Sequence, residues 1–177
     1  MEEIEKEELI HQLKRTAIYL SPDSTVAVNY TKPDIDKIIP HRSPFALINT
    51  IRAVNLQEGV IEVSSLVDAN DPIFAGHFPG MPIYPGVMQI ESMGQAGLCM
   101  AFFLKNDTTE IANGSIPVKG LFTRVHNAGF NKSVMPGDTM IIRVKSLEDD
   151  DFMGLMSAQV LVNDEIYSHS ILEVFYA

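Results

Sequence analysis

Residues 86–104 read GVMQIESMGQAGLCMAFFL, a long apolar run in which Glu91 is the only charged residue. The run is almost long enough to cross a bilayer, but it contains Glu91 and Gln95, and no basic residue flanks its start. A helix that the protein's own sheet encloses on almost all sides has the same composition. We therefore predict that this segment is a buried central helix and that the chain has no membrane span.

Strand patterns flank this helix on both sides. Two runs before the helix, residues 45–54 and 59–67, are separated by a connection of hairpin length. Strand-like runs separated by turn sequences follow the helix at residues 116–125, 128–134, 139–147, 152–162 and 166–175. One long helix among about six antiparallel strands predicts an α+β fold in which the sheet wraps around the helix.

The chain has the length and composition of one domain with a helical extension. Its 177 residues, 46% of them hydrophobic, suit a single core and would be cramped as two domains. Apolar residues recur with helical spacing from residue 2 to residue 20, and the sequence SPDS at residues 21–24 then stops the helix. Residues 33–40 read as a short helical turn. We predict an N-terminal helical extension over residues 1–32 and a single domain over residues 33–177.

The net charge and the cysteine content indicate which partners the protein can bind and in which cellular compartment it resides. A nucleic-acid surface needs clustered Lys and Arg, so the formal net charge of -10 argues against nucleic-acid binding. The N-terminal sequence MEEIEKEE has neither the basic start nor the apolar core of a secretory signal. Cys99 is the single cysteine, so no intrachain disulfide can form and a reducing compartment is the natural setting. We predict a cytoplasmic protein.

Burying the charged side chain of Glu91 within an apolar helix costs free energy. A lone carboxylate that leaves water must be neutralised, find a partner or take part in a reaction. Gln95 lies four residues further on, on the same helical face. Upstream, His77 stands in a loop that is too rich in Pro and Gly to be a helix or a central strand. A histidine on a rigid loop thus precedes an acid on a helix.

The start of the helix offers hydrogen-bond donors. Pro85 can occupy the first turn, which leaves the N–H groups of Gly86, Val87 and Met88 without helical partners. A carbonyl oxygen placed there would accept these hydrogen bonds at the positive end of the helix dipole. A general base, a general acid and such an oxyanion site suit removal of a proton next to a thioester carbonyl and loss of a β-hydroxyl group. Taken alone, a loop histidine is usually structural and Pro-Gly is usually a helix start signal.

Together these positions resemble a known family. The sequence HFPG at residues 77–80, followed by PGV at residues 85–87 and then Glu91 and Gln95, resembles the active-site signature of the 3-hydroxyacyl-(acyl carrier protein) dehydratases of bacterial fatty acid synthesis. The sequences PHRSPF at residues 40–45 and MPGD at residues 135–138 resemble the opening motif and the late turn of the same family.

The resemblance implies a hot dog fold, in which an antiparallel sheet wraps a long central helix. It also implies a homodimer whose two sheets join edge to edge, and it leaves open whether three dimers associate into a larger ring. Members of this family form their sites between subunits, with the histidine from one subunit and the acid from the other. His77 and Glu91 therefore need not face each other within one chain.

The resemblance also implies a role for each site residue. His77 would take the C2 proton, and Glu91 would protonate the departing C3 hydroxyl group. The N–H groups of Gly86 and Val87 would hold the thioester oxygen, and Gln95 would orient Glu91. The family requires neither a metal nor an organic cofactor for this reaction.

The implied substrate is a 3-hydroxyacyl group on the phosphopantetheine arm of acyl carrier protein. Because that carrier is acidic, it would need a local basic patch, for which the candidates are Arg42, Lys119, Arg124 and Lys132. Tyr84 and Phe78 are candidates to line or gate an acyl tunnel, together with Phe74, Met88, Phe102 and Phe103. Ordinary core packing accounts equally well for each of these aromatic and apolar residues.

Some positions depart from the family pattern and leave alternatives open. Ser43 stands where an aromatic residue is usual, and Asn49-Thr50 replaces an Asp-Arg pair, so housekeeping fatty acid synthesis and secondary lipid or polyene synthesis are both compatible. A thioesterase is a second interpretation, because the same fold hosts thioester hydrolysis. A non-catalytic acyl-thioester binding subunit is a third, although such a protein would not need both His77 and Glu91.

Overall fold

The computed structural model describes residues 3–177 and contains one sheet of seven strands. The helices are α1 (Glu3–Leu13), α2 (Lys32–Ile38) and α3 (Gly86–Asn106), and a 3-10 turn spans Pro72–Ala75. The strands are β1 (Val26–Thr31), β2 (Thr50–Asn55), β3 (Val60–Leu66), β4 (Gly120–Phe130), β5 (Thr139–Asp149), β6 (Met153–Val162) and β7 (Glu165–Tyr176). Their order is β1-β2-β3-β5-β6-β7-β4, and all neighbours are antiparallel, so β1 and β4 form the two edges.

The long helix α3 packs on one face of this sheet. Every residue from Ser92 to Phe103 is buried, and the helix shares a core with inward side chains such as Ile142 and Val144 of β5. Helix and sheet approach closely at Gly97, where a Cβ atom would lie only 2.0 Å from Met156 Sδ. The sheet therefore encloses α3, which confirms the α+β class and the hot dog arrangement.

By length and composition, α3 also qualifies as a membrane span. However, 72% of its apolar stretch is buried inside the fold, against the strands of the protein's own sheet. Burial in the protein core accounts for the apolar composition of this helix.

The opposite face of the sheet carries α1 and the segment that follows it. Leu13 and Ile18 are buried there in a second apolar cluster with Ile171 of β7. Gln159 of β6 binds the same segment: its Oε1 accepts from the Ile18 N–H at 2.7 Å, and its Nε2 donates to the carbonyls of Leu13 and Thr16 at 2.6 and 2.9 Å. Buried apolar and polar contacts thus join the N-terminal extension to the sheet.

The N-terminal elements differ from those predicted. Helix α1 ends at Leu13 instead of continuing to residue 20, and residues Val26–Thr31 form strand β1, which the sequence pattern did not predict. β1 is short and most of its residues are at least partly exposed, so it lacks the apolar alternation that identifies a strand. Because β1 pairs with β2, the predicted boundary after residue 32 falls directly behind a strand of the sheet.

The edge strand β4 was predicted as two strands, over residues 116–125 and 128–134, but it is continuous from Gly120 to Phe130. Two register shifts against β7 interrupt its alternation, because each bulge turns the following side chains to the other face. Strand β2 begins at Thr50 instead of residue 45, since the residues before it form a loop that binds α3. The sheet has seven strands, where about six were predicted.

Candidate active site

His77 lies in the loop between the 3-10 turn and α3, and main-chain hydrogen bonds fix it on both sides. Its N–H donates to the Ile73 carbonyl at 2.9 Å, and its carbonyl accepts from the Ile83 N–H at 3.0 Å. The imidazole Nδ1 lies 2.8 Å from the Ile83 carbonyl oxygen. Since a carbonyl oxygen can only accept, Nδ1 carries the hydrogen and Nε2 of the neutral ring keeps its lone pair. In the neutral ring, Nε2 is therefore the nitrogen that can accept a proton.

Two aromatic residues of this loop were candidates for an acyl tunnel, and their surroundings differ. The Phe78 ring stacks on the His77 ring, with centroids 4.1 Å apart, and is 47% exposed. Tyr84 is buried in the main core and its ring lies against Phe74, while burial raises the pKa of its hydroxyl group. The Tyr84 N–H donates to the Val134 carbonyl at 2.8 Å, which ties the loop to the sheet. The tunnel role of both aromatic residues stays a prediction.

Helix α3 begins at Gly86, after Pro85, as the sequence predicts. The Met88 N–H donates to the Pro85 carbonyl at 3.0 Å, so it is not one of the free donors. Among residues 3–177, no hydrogen-bond acceptor pairs with the N–H groups of Gly86 and Val87, which leaves two donors at the helix start. A Cβ atom on Gly86 would lie 2.7 Å from the Phe130 ring, so only glycine permits this close approach of β4.

Glu91 has polar partners and is not the isolated acid that the apolar sequence suggests. Its Oε1 accepts a hydrogen bond from Gln95 Nε2 at 2.9 Å, and 19% of its side chain is exposed. Gln95 is itself fully buried and reaches into the loop before β2. There its Oε1 accepts from the Leu47 N–H, and its Nε2 donates to the Phe45 carbonyl, both at 2.9 Å. Gln95 thus holds Glu91 and this loop in one arrangement.

His41 is a site residue to which the sequence analysis gave no role. Its Nε2 lies 3.5 Å from Glu91 Oε1, and its Nδ1 is buried without a hydrogen-bond partner among residues 3–177. The sequence shows His41 only as part of the motif at residues 40–45. His41 and Glu91 are fifty positions apart in the chain, so no local spacing rule connects them.

Glu91 and His41 line a small cavity of about 40 Å³ between α3 and the edge of the sheet. The other residues that line it are Gly94, Gln95, Leu98, Gly120, Phe122 and Val174. His77 is not among them, and within residues 3–177 no hydrogen bond or ion pair joins His77 to Glu91. Within the part of one chain that the structure describes, the histidine therefore has no direct polar contact with the acid and does not line its cavity.

Of the four candidates for a basic patch, two bind other groups of the chain and two have exposed side chains. The Arg42 guanidinium donates to the main-chain carbonyls of Asp36, Ile39 and His41 at 2.7 to 2.9 Å, so it stabilises its own loop. Lys132 forms an ion pair with Glu165. The side chains of the remaining two candidates, Lys119 and Arg124, are exposed.

Comparisons with known proteins show the family of this chain. A family model described as FabA-like domain matches residues 39–170. The chain is 36% identical over 143 residues to the 3-hydroxyacyl-[acyl-carrier-protein] dehydratase FabZ of Sulfurovum sp. (strain NBC37-1), which covers 79% of this chain and 92% of that protein. It is 38% identical over 141 residues to the protein of the same name from Campylobacter hominis, with the same coverage of 79% and 92%.

A solved structure with a similar fold is the dehydratase heterocomplex ApeI:P from Xenorhabdus doucetiae. The TM-score is 0.61 with 16% sequence identity, over 81% of this chain and 90% of that chain. At this identity the likeness supports the fold alone. The family match spans most of the chain and includes the loop of His77 and the helix of Glu91, which confirms the resemblance drawn from the sequence motifs. The chain thus belongs to the FabA-like family.

Proposed function

We propose that this chain dehydrates a 3-hydroxyacyl thioester on acyl carrier protein to the trans-2-enoyl thioester, in fatty acid or related lipid synthesis. The observation that carries the proposal is that a histidine and a carboxyl group are each oriented by a hydrogen bond. His77 has its base nitrogen set by the Ile83 carbonyl, and Glu91 is held on α3 by Gln95. Relatives with the dehydratase name share 36% and 38% identity with this chain, which supports the same reaction here.

His77 and Glu91 together account for every proton that moves in this dehydration. Nε2 of His77 takes the proton from C2, and the electron pair that it leaves forms the C2–C3 double bond. The C3–O bond breaks, and Glu91 protonates the departing oxygen, so that one water molecule leaves. Negative charge that develops on the thioester oxygen is stabilised by the two N–H donors of Gly86 and Val87.

The proposed assembly is a homodimer in which His77 of one subunit and Glu91 of the other act on one substrate. Strand β4 is a free edge with exposed apolar side chains, including Leu121, Val125 and Phe130, so a second copy can extend the sheet there. The cavity beside Glu91 lies at this same edge, since β4 supplies part of its wall. A trimer of dimers and a cytoplasmic location stay predictions.

The carrier protein would approach from outside with its acidic surface and its phosphopantetheine arm. Lys119 and Arg124 are exposed next to and within β4, close to the proposed dimer edge. Basic side chains at the mouth of the site would steer an acidic carrier despite the net charge of -10.

The first experiment is an assay of purified protein with a 3-hydroxyacyl-pantetheine thioester. Formation of the enoyl thioester is the expected result. Release of free thiol without enoyl product would instead indicate a thioesterase, and binding without turnover would indicate a non-catalytic subunit.

Two variants test the assigned roles. His77→Ala and Glu91→Gln should each lower kcat by about two or more orders of magnitude, because each removes one proton-transfer group. His11→Ala is the matched control, since His11 is exposed on α1. Light scattering and circular dichroism should find both site variants folded and assembled like the wild type. A near-normal rate in either site variant would reject the role of that residue.

A further inference from the structure

His41 is held next to Glu91 by two separate parts of the structure. On one side, the Arg42 guanidinium binds three main-chain carbonyls, including that of His41 itself. On the other side, Gln95 binds the main chain of Phe45 and Leu47. The loop is thus fixed on both sides of the imidazole.

The surroundings of the His41 ring decide which nitrogen carries its hydrogen. Nδ1 is buried and has no partner among residues 3–177, so a hydrogen there would be buried without an acceptor. Nε2 lies 3.5 Å from Glu91 Oε1. The hydrogen therefore sits on Nε2, 3.5 Å from Oε1, which is longer than an ordinary hydrogen bond.

The ring is neutral at neutral pH. Burial lowers the pKa of His41 from its ordinary value of 6.5, and the nearby Arg42 lowers it further, while Glu91 acts in the opposite direction. Two groups can bear on the ring through their charge: Arg42 of the loop itself, and Glu91 of α3 when its carboxyl group is ionised. His41 is thus a neutral hydrogen-bond donor.

The two nitrogen donors next to Glu91, on Gln95 and His41, lie nearest to the same carboxyl oxygen. Gln95 Nε2 and His41 Nε2 lie 2.9 and 3.5 Å from Oε1, and no other hydrogen bond or ion pair involves the Glu91 carboxyl group among residues 3–177. In a protonated carboxyl group, the carbonyl oxygen accepts hydrogen bonds and the other oxygen carries the hydrogen. When Glu91 carries the proton that the proposed reaction requires, the oxygen that faces the two donors, Oε1, is the carbonyl oxygen and Oε2 carries that proton.

We propose that His41 is a positioning residue that, with Gln95, confines the acidic proton of Glu91 to Oε2. This inference rests on the proposed function, because it assigns the oxygen through which Glu91 protonates the leaving group. As Oε2 gives up its proton, the C3–O bond breaks and the carboxyl group becomes a carboxylate. The two N–H donors then stabilise the new charge through Oε1.

The contribution of His41 grows during the reaction. Hydrogen bonds to a charged oxygen are shorter and stronger than those to a neutral oxygen, so the 3.5 Å separation should shorten as charge develops. An interaction that is stronger in the transition state than with bound substrate raises kcat and leaves KM nearly unchanged.

A pair of variants at position 41 tests this inference. His41→Leu removes the donor and should lower kcat by about ten-fold or more, with KM changed by less than about two-fold. His41→Gln places an amide N–H near the position of Nε2 and should recover kcat to within about three-fold of the wild type. His11→Leu, on the exposed face of α1, is the control and should retain the wild-type kcat.

Thermal unfolding separates positioning from mere support of the fold. His41→Leu removes a buried nitrogen that has no partner, so its Tm should equal or exceed that of the wild type even though kcat falls. A structural role would lower Tm and kcat together, in both the Leu and the Gln variant, and would overturn the inference. An active wild type with an unaffected His41→Leu variant would also overturn it, while leaving the proposed function intact. A wild type without dehydratase activity would overturn both.

Discussion

His169 on β7 is a buried histidine that has no part in the proposed reaction. It is 1% exposed, and both ring nitrogens are buried without a hydrogen-bond partner among residues 3–177. Gly129 of β4 leaves room for the ring, since a Cβ atom there would lie 2.1 Å from His169 Cε1. Burial, and then the charge of Lys14, lower the pKa of His169 from its ordinary value of 6.5. The folded protein therefore resists protonation of this ring.

This resistance predicts a loss of stability in mild acid. Above pH 6.5 the ring is neutral in both the folded and the unfolded chain, so it adds no pH dependence. Below pH 6.5 the unfolded chain binds a proton that the folded chain does not, and the free energy of unfolding falls by at most about 1.4 kcal/mol per pH unit for one such group. Urea unfolding between pH 7.5 and about 5.5 measures this slope.

The variant His169→Leu should flatten that slope in part, because His41 also has a lowered pKa and keeps titrating. His11→Leu should leave the slope unchanged, since His11 is exposed. An identical slope in wild type and His169→Leu would mean that His169 is protonated as easily in the folded protein as in the unfolded chain.

For single side chains, the sequence shows which residues carry reactive groups more readily than it shows which residues touch each other. Glu91 and Gln95 are one helical turn apart, so their proximity follows from the helix alone. The contacts of Gln95 with Phe45 and Leu47, and the approach of His41 to Glu91, join parts of the chain about fifty residues apart. No local pattern encodes such contacts, because they arise only when the loop before β2 folds onto α3.

Among the elements, α3 was predicted almost to the residue and the edge strands were predicted poorly. The uniform apolar composition of α3 reflects enclosure by the sheet, which leaves a clear signal. The edge strands β1 and β4 contact the core on fewer sides, and bulges disturb the alternation of β4. A clear hydrophobic pattern appears only where side chains are buried, so the least buried elements are the hardest to predict from sequence.

The contacts of α1 predict that the N-terminal extension unfolds together with the rest of the protein. Leu13 is 2% exposed in the cluster with Ile18 and Ile171, so Leu13→Ala should lower the free energy of unfolding by about 2–4 kcal/mol. Chemical denaturation followed by near-ultraviolet circular dichroism of the whole chain measures this change.

Glu8→Ala is the control on the same helix, because Glu8 is exposed. An extension that is independent of the domain behaves differently: Leu13→Ala would then melt α1 and leave the main unfolding transition of the sheet unchanged. That outcome would support a domain that begins after residue 32.

For the whole molecule, the separation of His77 from the cavity of Glu91 makes complementation between subunits a direct test of assembly. His77→Ala and Glu91→Gln homodimers should each be nearly inactive. A mixed dimer contains one site with both native groups, so equal mixing through unfolding and refolding should restore roughly a quarter of the wild-type activity.

Two controls accompany the mixing experiment. Wild type taken through the same unfolding and refolding reports the recovery of active protein, and each variant refolded alone should stay inactive. If the two groups instead meet within one chain, mixing will restore no activity above the sum of the separate variants.

The contact between Gly86 and Phe130 has a consequence for how activity depends on the amount of protein. Phe130 belongs to the free edge of the sheet and touches the first residue of α3, so the edge and the start of the helix form one surface. If a second copy completes that surface, a newly made single chain has no complete active site and is inactive until it dimerises. At dilutions where most chains are single, the turnover rate of a solution would then rise with the square of chain concentration.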